Sequence, residues 1–145
     1  MKYLLIILSL FLIGCDDEDS GNSDISVAEY FSYNDSNQVA FYFFSTVLID
    51  GVPLDATDWV AAFKGDVCVG AQQWTCEGLC EVPVCGQYII NGETYNEGYM
   101  ENDDIPSFKI YDASDNIYYN AIPSTQIPWH DGITPVIDTL NAQID

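Results

Sequence analysis

The stretch from Asp58 to Gly86, DWVAAFKGDVCVGAQQWTCEGLCEVPVCG, leaves few folds open to this chain. Trp59, Ala61 and Phe63 alternate with Asp58, Val60 and Ala62, and Val67, Val69 and Ala71 share one face of the next run. A period of two marks a strand, because successive side chains leave a pleated backbone on opposite sides. Lys64-Gly65 reads as a two-residue hairpin loop, with glycine where positive φ is needed. Glu81 to Ile90 resumes strand character, and Pro83, with no N–H to donate, places that strand at an edge.

The remaining runs have the same grain. Val39 to Ile49 (VAFYFFSTVLI) is rich in β-branched and aromatic residues and reads as a central strand, closed by an Asp50-Gly51 turn. Asn91-Gly92 is a second hairpin signal. Phe108 to Tyr111, Ile117 to Tyr119 and Ile133 to Leu140 add further strands, and Ile25 to Tyr33 reads as a first one. No stretch has the helical period over a useful length. The expectation is an all-β chain: an antiparallel β-sandwich, immunoglobulin-like or jelly-roll-like, of about eight short strands over residues 25–145.

The N-terminus reads as an export signal. Lys2 precedes a ten-residue apolar run, Leu4 to Ile13, too short to span a bilayer but suited to a signal peptide. Leu12-Ile13-Gly14-Cys15 then meets Asp16-Asp17-Glu18-Asp19. This junction resembles the lipobox of bacterial lipoproteins. The resemblance implies cleavage before Cys15, acylation of that cysteine, and attachment to the bacterial cell envelope through lipid. It divides the chain into a signal peptide (residues 1–14), a lipidated cysteine with an acidic tether (15–24) and the β domain. An aspartate directly behind the cysteine resembles the inner-membrane retention signal of enteric lipoproteins, whereas an acidic run close behind it resembles a surface-export signal of other Gram-negative groups. The expectation is the outer membrane or cell surface rather than the inner membrane.

With Cys15 assigned to lipid, Cys68, Cys76, Cys80 and Cys85 remain. An oxidising compartment and an even count point to two disulfides. Cys76 and Cys80 close a short loop, and antiparallel strands around it bring Cys68 towards Cys85. Cys76–Cys80 and Cys68–Cys85 are therefore the expected bridges. Their spacing does not form the two close pairs of a zinc site.

Charge narrows the partners. Three basic side chains stand against 23 acidic ones, a formal net charge of −20. Such a surface repels phosphate backbones, which excludes nucleic acid, and it gains nothing from anionic lipid headgroups. Asp103, Asp104, Asp112 and Asp115 are candidate calcium ligands, but none lies in an EF-hand-like loop and turn chemistry alone accounts for them. No other cofactor is implied. His130 is the single histidine and no nucleophile frame surrounds it.

Aromatic residues outside the regular strands carry the functional expectation. Trp74, Trp129 and Tyr99 are the candidate contacts for a carbohydrate or protein ligand, since flat rings beside Asp and Asn suit both. The phrases DWVAAFKGDVCVG and IPSFKIYDASDNIYY are similar to β-sandwich modules of secreted, multidomain proteins from marine and other environmental bacteria, a likeness running roughly from Phe41 to Leu140. It implies fold and extracytoplasmic location and no activity. The reading is a lipid-anchored binding or adhesion module rather than an enzyme. The alternatives are an envelope glycoside hydrolase with paired carboxylates or a structural assembly subunit.

Overall fold

The computed structural model describes residues 26–145; Cys15, the signal peptide and the tether lie outside the described residues. Among the described residues the chain is all-β apart from one short helix, α1 (Val27–Tyr30). The strands are β1 (Val39–Ile49), β2 (Val52–Pro53), β3 (Trp59–Lys64), β4 (Val67–Gln73) and β5 (Cys80–Cys85). They continue with β6 (Tyr88–Ile90), β7 (Glu93–Tyr95), β8 (Ser107–Asp112), β9 (Ile117–Pro123) and β10 (Val136–Ala142). Eight of them form one sheet in the order β2-β1-β10-β9-β8-β3-β4, with β5 also paired to β1, and β6–β7 form a separate hairpin.

The large sheet curls until its two halves face each other across a core. Tyr42, Phe44, Val60, Val69, Val82, Phe108, Ile110, Ile137 and Leu140 fill the interior at 0–2% exposure. These are the inward members of alternating strands, as the period of two requires. Strand β3 is buried on its outer face as well. There Ala61 and Phe63 pack under Phe31, Tyr30 and Tyr118, with Tyr30 and Tyr118 meeting edge-on at 4.6 Å. The expected first strand is thus a helical turn plus a covering segment, started by Ser26, whose side chain accepts from the Glu29 N–H.

The sheet is mixed and not wholly antiparallel. β1 and β10 run parallel, with Phe43 opposite Val136 and Ile49 opposite Ala142. Parallel neighbours need a long crossover. Nearly the whole domain supplies it, because these are the first and last strands. The expected Glu81–Ile90 strand divides at Gly86 into β5 and β6, where the Trp129 ring occupies the space a side chain at 86 would take. The β3–β4 loop is Gly65-Asp66, one residue beyond the expected position, since Lys64 already pairs with Val67. The Asp50-Gly51 and Asn91-Gly92 turns form as expected, each with positive φ at both residues.

Asp58 is the buried carboxylate of the fold. Its Oδ2 accepts the N–H of Asp55 at 2.8 Å and its Oδ1 accepts that of Ala113 at 2.9 Å. One side chain therefore ties the loop before β3 to the turn after β8, and both oxygens are satisfied.

The curl returns β4 against β5. The carbonyl of Pro83 stands where a Cβ on residue 70 would project, so only glycine fits at Gly70. Pro83 lies in a strand that pairs with β1 alone, as an edge proline should.

The expected Cys76–Cys80 disulfide is present, with Cα atoms 6.0 Å apart. The expected Cys68–Cys85 bridge is not formed, and both residues are buried free thiols. They belong to facing strands of the β4–β5 seam, but each sulfur is engaged separately. Cys68 Sγ donates to the carbonyl of Gly70 at 3.6 Å, and the Ser36 N–H lies against the Cys85 sulfur. Burial pushes the Cys85 thiol up to about 11 and raises Cys68 as well. The thiolate is the reactive form, and at neutral pH it is on the order of 10⁻⁴ of a thiol with such a pKa. The native protein is therefore expected to alkylate slowly at neutral pH, faster as pH rises towards 11, and to yield two equivalents of thiol only when unfolded. Mass spectrometry after alkylation reads this directly, and a second bridge linking Cys68 to Cys85 would contradict it.

Candidate ligand-binding site

Of the three expected contact residues, one lies on the surface. Trp129 is 1% exposed and Tyr99 is 6% exposed. Trp129 Nε1 donates to the carbonyl of Val84 at 2.8 Å, and its backbone pairs with Asp103 and Asp104, which fixes the ring in the core. The Tyr99 hydroxyl accepts the N–H of Asn34 at 2.7 Å, and burial raises its pKa. Both rings pack as core groups with a polar handle, and Trp129 also borders a second groove, along β6.

Trp74 is half-buried and lines a groove of about 350 Å³. The groove is made where three elements end. The inward alternation of β1 breaks at Ser45 and Thr46, which are exposed. The loop after β2 contributes Leu54. The chain leaving β4 contributes Trp74 and Thr75, held by the Trp74 N–H donating to the Asp58 carbonyl at 2.8 Å and by Gln73 Nε2 reaching the Ala56 carbonyl at 3.1 Å. The disulfide loop closes one wall, where Glu77 is exposed. The groove thus offers an indole wall, three hydroxyls and a carboxylate. The Trp74 Nε1–H has no acceptor among the described residues and is available to a ligand. That combination suits stacking and hydrogen bonding.

The carboxylates are otherwise engaged. Lys64 Nζ meets Asp104 Oδ2 at 2.7 Å, Glu101 Oε2 at 3.2 Å and the Tyr99 carbonyl at 3.1 Å. Its hydrogen bond to Asp104 lowers that carboxyl and raises the lysine. A general acid of a glycosidase needs the opposite shift. Asp103 lies 3.1 Å from His130 Nε2. Asp112 Oδ1 accepts from the Ser114 N–H, the Ser114 hydroxyl and the Asp115 N–H, which is turn chemistry, and Asp115 is exposed. The four calcium candidates therefore sit in two loops, and no group of three or more His, Cys, Asp or Glu is placed to hold a metal among the described residues.

A second and larger groove, about 550 Å³, runs along β6 between Gln38, Gln87, Tyr88, Ile89, Glu101 and Asn102, with Trp129 also in its lining. Of these residues only Trp129 stood out in the sequence. The Asn91-Gly92 turn signalled the hairpin, but only the tertiary fold sets it beside the 101–102 loop. The chain matches no model of a known protein family, no curated protein and no solved structure.

Proposed function

We propose that this protein is a lipid-anchored binding module of the bacterial cell envelope, held through Cys15 at the outer membrane or cell surface, whose ligand docks at the Trp74 groove. The observation that carries the reading is that Trp74, half-buried, lines an open groove beside the hydroxyls of Ser45, Thr46 and Thr75, whereas Trp129, which borders the second groove, is only 1% exposed and Tyr99 is 6% exposed. The lipobox-like LIGC junction supports the anchor, and the acidic tether supports a soluble domain standing off the bilayer. A carbohydrate or a protein loop both fit a groove of this chemistry.

Full-length protein in detergent micelles, screened on a glycan array and against envelope proteins, tests the site. Trp74→Ala is expected to weaken the ligand found by about tenfold, the loss of one stacked ring with its hydrogen-bond donor. The variant should keep its circular dichroism spectrum, because the ring is half-buried at the rim of the core. A ligand that binds the variant as tightly as the parent removes the groove from the reading.

A further inference from the structure

The second groove has the features of a built site. Tyr88 is among its lining residues, and its ring is already fixed by a stack on Tyr95 at 5.1 Å and 8° between planes. One face of the Tyr88 ring is thereby covered by Tyr95. An ordered ring loses little freedom when a ligand stacks on it. One wall is preset as well. Gln87 Nε2 donates to Glu101 Oε1 at 2.9 Å, Gln87 Oε1 accepts the Gly98 N–H at 3.3 Å, and Lys64 holds the other oxygen of Glu101.

The remaining polar groups are uncommitted. The side-chain amides of Gln38 and Asn102 have no hydrogen-bond partner among the described residues, yet both line the groove. The Gln38 backbone is anchored, its N–H on Ser36 Oγ at 3.0 Å and its carbonyl on the Gly86 N–H at 2.8 Å. A carboxamide is donor and acceptor at once, which suits a hydroxyl that is also both. Charge removes the anionic ligands: Glu101 stands in the groove of a chain with net charge −20.

We infer that the groove along β6 is a binding site for a neutral saccharide, with a pyranose face on Tyr88 and ring hydroxyls on the amides of Gln38 and Asn102. The site is separate from the Trp74 groove, which lies against the later half of β1, whereas Gln38 directly precedes that strand. The sugar's hydroxyls replace bulk water at two amides, and its apolar C–H face covers a ring that water solvates poorly.

Calorimetric titration of the full-length protein in detergent micelles with cellohexaose, maltohexaose, mannohexaose and the galacturonic acid hexamer tests this. At least one neutral hexasaccharide is expected to bind, with the acidic hexamer at least about tenfold weaker. Tyr88→Ala should weaken the neutral ligand by about tenfold and Asn102→Ala by about fivefold, while Trp74→Ala leaves it unchanged. Asn102 is exposed and outside the core, so its variant carries the test if the hairpin change disturbs folding. Failure of all three neutral hexasaccharides to bind overturns the inference, as does equal binding of the acidic hexamer. Binding that survives both groove variants also overturns it. Binding lost in Trp74→Ala alone overturns it too, and leaves the reading of the Trp74 groove standing.

Discussion

Gly70→Ala is expected to destabilise the domain by ~3 kcal/mol or more, although it adds a single methyl group. Overpacking a well-filled site costs roughly 1–3 kcal/mol when side chains can move aside. Here the obstacle is the Pro83 carbonyl, a backbone group held by the pairing of β5 with β1. The methyl can be placed only by opening the seam between β4 and β5, which exposes Val69, Val82 and Val84, all at 0% exposure. Against a total stability of about 5–15 kcal/mol the change is large. Gly70 does not have a positive φ, so the cost is steric and not conformational. Gly78→Ala is the matched control: its φ is +88° but nothing lies within 4 Å of the added carbon. That variant should lose only the left-handed preference, about 1–2 kcal/mol. Urea unfolding curves read both, and similar midpoints for the two variants would refute the seam.

The strands were legible because their alternation is local. Trp59 to Phe63 fixes its own faces, and Asp50-Gly51 and Asn91-Gly92 fix their turns. A register shift opposite Ala62 and Phe63, by contrast, breaks the expected common face of Val67, Val69 and Ala71, so that Val69 packs in the main core and Ala71 in the outer cluster. What could not be read is everything that closes the curl. The parallel β1–β10 pair joins the two ends of the domain, and no local pattern marks a strand's neighbour at that separation. Gly70 and Gly86 look like ordinary strand residues until Pro83 and Trp129 come to lie on them.

The same limit explains the fate of the rings. Trp129 and Tyr99 stand among Pro, Asp, Asn and Gly, the composition of a surface loop, yet both side chains turn inward. A loop backbone beside the open end of a curled sheet can use a large ring as a plug, with its N–H or O–H finding a backbone partner. Val84 and Asn34 supply those partners. Trp74 differs in that the chain leaves β4 around the disulfide loop, so its ring stays half-buried beside a groove, whereas Trp129 borders the second groove at only 1% exposure. Flanking composition alone could not separate these cases.

Cys15→Ser is expected to move the protein from the membrane to the soluble fraction almost completely. The argument is one of summed affinities. A single acyl chain gives an association constant of only about 10⁴ M⁻¹, and stable anchoring takes a second chain or a basic patch. The basic patch is absent from the sequence that follows: Asp16 to Asp19 is wholly acidic, and the whole chain carries three basic residues against 23 acidic ones. Anionic headgroups therefore oppose attachment, and on the proposed reading the acyl chains on Cys15 must supply all of it. Among the described residues no helix is long and apolar enough to cross a membrane. The substitution should leave the described domain alone, because the strands of the described sheet all lie between Val39 and Ala142 and Cys15 is outside the described residues. Fractionation and palmitate labelling should thus change from membrane-bound and labelled to soluble and unlabelled, while the melting temperature and the two accessible thiols on unfolding stay the same. A variant that stays with the membrane would remove the lipid anchor and the envelope location that rests on it, and the Trp74 groove would then need a ligand from another compartment.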